Sequence, residues 1–253
     1  MTEPGKAPAQ RSLLRRFVVG VKETVLIVVI ALVIATLIKS FLAQMFVIPS
    51  QSMENTLQRS DRVLVVKVMA YQRGDIVVFE DRLNWLPPAP PANPVRRVAE
   101  FIGILPASGD QFLIKRLVGL PGDRVICCDA QGAVTVNGVA LNEAQYLYRG
   151  PDGTLIKPSE MPFDIVVPEG RFFVLGDHRN ASADSRYHLC DTVGARAKGD
   201  NAFPSLDSIQ GPAKLLAYPF DRFTTFSSPD AFAAIPAAAP MPDPPPAPQG
   251  GGC

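Results

Sequence analysis

The sequence predicts a mostly β protein, an antiparallel β-sheet domain behind one N-terminal transmembrane helix, and three observations predict it. Between Phe46 and Tyr218, short runs of β-branched and aromatic residues alternate with glycine, proline and asparagine turn signals. Helical periodicity is scarce in the same stretch, and many short strands with few helices make an antiparallel sheet system. Ahead of them, an apolar segment runs from Phe17 to Ala43, interrupted by Lys22, Glu23, Lys39 and a few small or polar residues.

Residues 1–16 are polar and basic, and 17–43 form the expected anchor. Its charge-free centre, Thr24 to Ile38, is short for a hydrocarbon core of roughly 30 Å, so Lys22 and Lys39 are expected to snorkel into the two headgroup layers. Arg11, Arg15, Arg16 and Lys22 outnumber the positive charges just after the span. The positive-inside rule then puts the N-terminus in the cytoplasm and the remainder outside it. A cleavable leader is the competing reading, but bulky Phe41 two residues before Ala43 spoils a small-x-small cleavage site and the leading polar region is long.

The β-rich domain is expected over residues 44–226. Val63 to Val68, Ile76 to Phe79, Phe112 to Val118, Val125 to Cys127, Val134 to Val136, Ile165 to Val167 and Phe172 to Leu175 read as strands. Arg73-Gly74-Asp75, Pro121-Gly122-Asp123, Asn137-Gly138 and Pro168-Glu169-Gly170 read as turns. The clearest hairpin is Val134 to Leu141, because Asn137-Gly138 supplies the positive φ angles of a tight turn. An insertion at about 84–108 pairs a proline-dense loop, Leu86 to Pro94, with a short amphipathic helix, Val95 to Leu105. The segment 227–253, rich in Pro, Ala and Gly, is expected to stay disordered for want of apolar surface to bury.

With 253 residues and 47% hydrophobic content, the chain can build a packed core. A net charge of +1 with both signs interleaved gives no electropositive field, which sets nucleic acid aside as a partner. Cys127, Cys128, Cys190 and Cys253 lack the spacing of a zinc or redox site, so no metal is expected. In an oxidising compartment Cys190 could pair with Cys127 or Cys128, but adjacent cysteines and one on a loose tail do not resemble a disulfide framework.

Chemistry concentrates in Phe46-Val-Ile-Pro49-Ser50-Gln51-Ser52-Met53, with Thr56-Leu57 shortly after. Ser52 follows the span by about ten residues, a reach of roughly 30 Å at about 3.3 Å per residue, so it works near the bilayer and its substrate should be membrane-bound too. A serine needs a partner to take its proton. His178 and His188 are candidates without an obvious carboxylate arrangement; lysine is the other option. In Phe112-Leu113-Ile114-Lys115-Arg116-Leu117-Val118, strand alternation puts Lys115 on one face with Leu113 and Leu117 and Arg116 on the other. A desolvated ammonium loses basicity and can act as a neutral base, although a lysine on an edge strand that deters aggregation gives the same pattern.

Five motifs occur in order. They are Pro49-Ser50-Gln51-Ser52-Met53; Asp61-Arg-Val-Leu-Val; Arg73-Gly74-Asp75 to Phe79; Lys115-Arg116-Leu-Val-Gly119 to Asp123; and Gly176-Asp177-His178-Arg179-Asn180-Ala-Ser182-Ala-Asp184-Ser185-Arg186-Tyr187. Together they resemble the boxes of the bacterial type I signal peptidases over residues 46–187, with a weaker echo at Ile209 to Phe220. The resemblance implies a membrane-bound serine endopeptidase with a mostly β catalytic domain and no metal or organic cofactor. It implies Ser52 as nucleophile, Lys115 as general base, Ser50 and the Ser52 N–H as oxyanion donors, and Ser182 as the serine orienting the lysine amine. Asp177, Asp184 and Arg186 fall at positions that look like supports for the site, a surface ion pair being their plainer reading. The implied partners are preprotein signal peptides, the phospholipid membrane and, by proximity, the export machinery; the implied location is the bacterial cytoplasmic membrane.

Gln51 departs from the family's frequent glycine, and the stretch at about 188–208, with Cys190 and Asn201 to Pro204, is longer than the family usually needs. Other readings are a cytosolic self-cleaving repressor, which the span argues against, a specialised pilin or conjugation-type processing peptidase, and an inactive membrane-anchored binding homologue.

Overall fold

The computed structural model describes residues 9–88, 93–94, 111–240 and 249–250. The expected helix at 95–105 lies outside them. The leading helix α1 (Ala9–Leu37) continues through a π turn at Ile38–Leu42. The stretch Arg15–Leu42 is long and apolar enough to cross a membrane, with a mean hydropathy of 2.8 and no burial against the rest of the protein. Thr24 and Thr36 donate their hydroxyls to the carbonyls of Gly20 and Leu32, one turn back. That leaves no side-chain donor of theirs unmet in a solvent that offers no acceptor.

The strands in chain order are β1 (Ala43–Val47), β2 (Arg62–Val66), β3 (Ile76–Glu80), β4 (Phe112–Gly119), β5 (Arg124–Cys127), β6 (Val134–Val136), β7 (Val139–Ala140), β8 (Phe163–Val166), β9 (Phe173–Leu175), β10 (Ile209–Tyr218), β11 (Thr224–Thr225) and β12 (Gln249–Gly250). The described residues form two sheets. The first runs β1-β2-β10-β3-β4-β9, with β11 against β10; the second runs β12-β8-β5-β6-β7. Every pairing is antiparallel. The link from the span to Ser52 is itself structured, since β1 begins directly after the π turn.

Local sequence explains most of this. β2 alternates buried and less buried positions, as a strand with one face in the core must. β3 is buried on both faces, which is why Ile76-Val77-Val78-Phe79 is continuously apolar. Asn137 and Gly138 take φ of 52° and 82° where β6 turns into β7, and Val136 faces Val139 across the turn. The central β10 gave only a faint sequence signal because it contains Gly211-Pro212, residues that argue against a strand interior. The structure absorbs them at a register shift between Ile209 and Gly211, where Gly211 has φ 145° and a side chain would strike the Val66 carbonyl.

Two expectations are corrected. The first part of the segment expected to be a disordered tail is packed: Phe232 and Ile235 are buried in the core cluster that holds Val125, Phe163 and Phe173, and Ser228 donates to the Arg73 carbonyl. Two large apolar side chains suffice to dock a proline-rich strap whose average composition is poor. Cys127 and Cys128 are joined to each other by a disulfide, so neither pairs with Cys190. The longer stretch at 188–208 is also folded onto the body. Trp85 stacks on His188 and donates its indole N–H to the Asn201 carbonyl, while Ala202 and Phe203 are buried.

Candidate active site

Ser52 sits in the turn after β1. Met53 and Leu57, both fully buried, hold this turn to the core cluster formed with Phe46, Ile48, Val63 and Val65. The amides of Thr56 and Leu57 bond back to the Met53 carbonyl, and Glu54 to that of Gln51. On the far side the His178 N–H donates to the Ser52 carbonyl at 3.0 Å. The nucleophile candidate is therefore fixed from both flanks, while among the described residues its own N–H has no acceptor.

Lys115 lies in mid-β4, between β3 and β9. Only 3% of it is exposed, and its Nζ donates to Ser52 Oγ at 2.6 Å and to the Ile114 carbonyl at 3.2 Å. Burial pushes the amine down from 10.5 to about 8, against the pull of the Asp184 and Asp177 carboxylates in the other direction. Leu113 and Leu117 share its side of the strand and are buried. Such an amine is neutral in about a tenth of molecules at pH 7 and in about half at pH 8, and it already touches the hydroxyl.

Ser50 Oγ lies 3.2 Å from Ser52 Oγ, so Ser50, Ser52 and Lys115 are brought together. Ser182 comes to the same place without bonding to the amine: its hydroxyl is buried and has no hydrogen-bond partner among the described residues. A methyl group on Gly176 would collide with both the Ser182 side chain and the Ser52 carbonyl, so glycine is required for this close approach.

Asp177, Asp184 and Arg186 are buried, and the plainer reading of a surface ion pair does not hold for them. Asp177 takes a two-pronged bond from Arg116 at 2.7 and 2.6 Å and another from Thr56 Oγ1. Asp184 accepts from the Gly176 N–H and from Arg186 Nε and Nη2 at 2.9 and 2.8 Å. Burial works against the Asp184 carboxylate, but Arg186 and these donors hold it below its ordinary value.

Several participants escaped sequence reasoning. Thr56 and Arg116 lie in the quoted motifs, but their shared partner Asp177 is far away in the chain. Arg179 pairs with Glu143 while its Nε donates to the Gly176 carbonyl, a link that no local spacing announces. Neither histidine ring bonds to Ser52 among the described residues. His178 stacks on Tyr148 beside Glu54, and His188 stacks on Trp85 beside Asp191.

Comparison with known proteins gives a consistent picture. The profile of the family "Signal peptidase, peptidase S26" matches residues 21–217. Signal peptidase I of Mycobacterium tuberculosis is 32% identical over 244 residues, covering 85% of this chain and 76% of its own. Signal peptidase I of Bacillus licheniformis is 30% identical over 191 residues, covering 72% and 86%. A crystal structure of a signal peptidase I from Enterococcus faecalis is 24% identical, with a TM-score of 0.33 over 58% of this chain and 99% of that one.

Proposed function

The chain belongs to the signal peptidase family, peptidase S26, and from that membership we propose that it removes N-terminal signal peptides from exported preproteins with Ser52 as nucleophile and Lys115 as general base. The observation that carries this reading is the 2.6 Å contact between Lys115 Nζ and Ser52 Oγ in a site from which solvent is almost excluded.

The neutral amine accepts the Ser52 proton as Oγ attacks the scissile carbonyl carbon. Negative charge develops on the carbonyl oxygen, where the Ser52 N–H and the Ser50 hydroxyl are available as donors. As the carbon–nitrogen bond breaks, the Lys115 ammonium returns the proton to the departing amine, leaving an ester on Ser52. Water then attacks the ester with Lys115 again as base, the acyl carbon–Oγ bond breaks, and the lysine returns the proton to Ser52 Oγ as the signal peptide leaves with its new carboxyl group. Asp177, Asp184 and Arg186 act through the backbone they hold, and Ser182 by its place against Gly176 near the Ser52 carbonyl.

The cut falls after small residues at the first and third positions before the scissile bond. The anchor at 17–43 is membrane-inserted, with 1–16 in the cytoplasm and the β-rich domain outside the bacterial cytoplasmic membrane, where export delivers preproteins. The test is cleavage of a preprotein with an A-x-A site by the detergent-solubilised chain. Processing that disappears in both Ser52→Ala and Lys115→Met supports the assignment; processing that survives in Ser52→Ala removes it.

A further inference from the structure

The segment Gly176-Asp177-His178 carries a histidine that the proton transfer leaves unused: Lys115 bonds to the Ser52 hydroxyl, and the imidazole of His178 is bonded to Glu54 instead. Its Nδ1 lies 3.0 Å from Glu54 Oε2, with the His178 side chain 11% exposed and that of Glu54 27%. An ionised carboxylate offers only acceptors, so Nδ1 carries the hydrogen and donates it, in the neutral ring and in the cation alike. A pair with one member this open to water adds little to folding stability. Its value lies in where it sits.

Glu54 stands two residues after the candidate nucleophile, and its N–H closes a turn onto the Gln51 carbonyl at 3.0 Å, with Ser52 and Met53 enclosed between them. His178 grips this turn twice. Its backbone N–H holds the Ser52 carbonyl at 3.0 Å, and its ring holds the side chain of the residue that closes the turn. One bond alone lets the turn swivel about it; two, on either side of Met53, fix the direction in which Ser52 Oγ leaves the backbone.

The ring is itself held in place. Tyr148 lies flat on it, with centroids 3.8 Å apart and an interplanar angle of 19°. Tyr148 is pinned in turn by its N–H, which donates to the Asp177 carbonyl at 3.1 Å, and by its carbonyl, which accepts from the Ile156 N–H at 3.2 Å. Asp177 is also the partner of Arg116, the neighbour of Lys115 in β4, so imidazole and amine are placed by one frame. We infer that His178 is a positioning residue for the nucleophile, acting through Glu54, an inference that rests on the Ser52–Lys115 assignment above.

The test is steady-state cleavage of a preprotein peptide by the detergent-solubilised full chain. Glu54→Ala and His178→Ala should each lower kcat about tenfold with KM within about twofold of wild type, the signature of a misplaced reacting group. The double variant should be no slower than the slower single, because both substitutions remove one contact. His178→Asn and Glu54→Gln keep a side-chain N–H donor and a carbonyl acceptor, and each should recover kcat to within about threefold of wild type. Glu54 is partly exposed, so its variants decide the question even where His178→Ala does not fold. A wild-type kcat in Glu54→Ala, losses that multiply to about a hundredfold in the double variant, or a loss carried by KM alone overturns the inference. Ser52→Ala separates it from the reading beneath: if Ser52→Ala is inactive while Glu54→Ala keeps the wild-type kcat, the clamp alone is misassigned. If Ser52→Ala still cleaves, the nucleophile itself is wrong.

Discussion

The Arg116 guanidinium and the Asp177 carboxylate face each other through two hydrogen bonds of 2.7 and 2.6 Å, with neither side chain more than 3% exposed. Arg116 follows Lys115 in β4, and Asp177 precedes His178, whose N–H holds the Ser52 carbonyl. One ion pair thus sets the strand of the candidate base against the segment that grips the candidate nucleophile. A third Arg116 donor reaches the Gly74 carbonyl and Thr56 completes Asp177, so the pair is satisfied on both sides.

Asp177→Ala leaves the guanidinium buried without its counter-charge and should lower stability by about 3–5 kcal/mol, read from the urea midpoint. Thr56→Val should lower it by about 1 kcal/mol, the size of one hydrogen bond. Equal, small effects for the two would show that the pair does not hold the fold.

Ser50→Ala should reduce kcat by about 10²–10³-fold with little change in KM, because an oxyanion donor acts only as charge develops. A change confined to KM would place Ser50 in substrate binding.

Burial holds the Lys115 amine at about 8 against an ordinary 10.5, so between those pH values the folded state binds fewer protons than the unfolded chain. Stability therefore rises with pH across that window, and below it a penalty on the order of 3 kcal/mol is fully present. Lys115→Met should be inactive yet more stable by about 1–3 kcal/mol at pH 7, with the gain shrinking toward pH 10. A loss of stability at pH 7 would mean that the amine is not held against its solvation.

Phe232→Ala should cost about 3 kcal/mol in urea unfolding, because it empties a buried aromatic position in the core of the second sheet. An unchanged midpoint would return residues beyond 227 to the status of a loose tail.

Most of the sheet was legible because its strands carry β-branched runs bounded by glycine turns, as Val134 to Ala140 shows most plainly. β10 was hidden by Gly211-Pro212, whose strand conformation depends on a register shift against β3 that only the assembled sheet supplies. Lys115 and Ser52 could be picked out from their motifs and from the alternation of β4. The Arg116–Asp177 and Arg179–Glu143 pairs were not legible, since each joins residues remote in the chain, and a charged side chain looks the same in sequence whether it is solvated or buried. The docking of Phe232 was missed for a related reason: segment composition averages over the two side chains that matter.

The most direct measurement is the pH dependence of kcat/KM for the detergent-solubilised wild-type chain on a preprotein peptide. Only the neutral amine can take the Ser52 proton, so the rate should rise with pH and level off above about 8, the value to which burial brings Lys115. A profile that stays flat between about pH 6 and 9 would contradict a lysine base at this site.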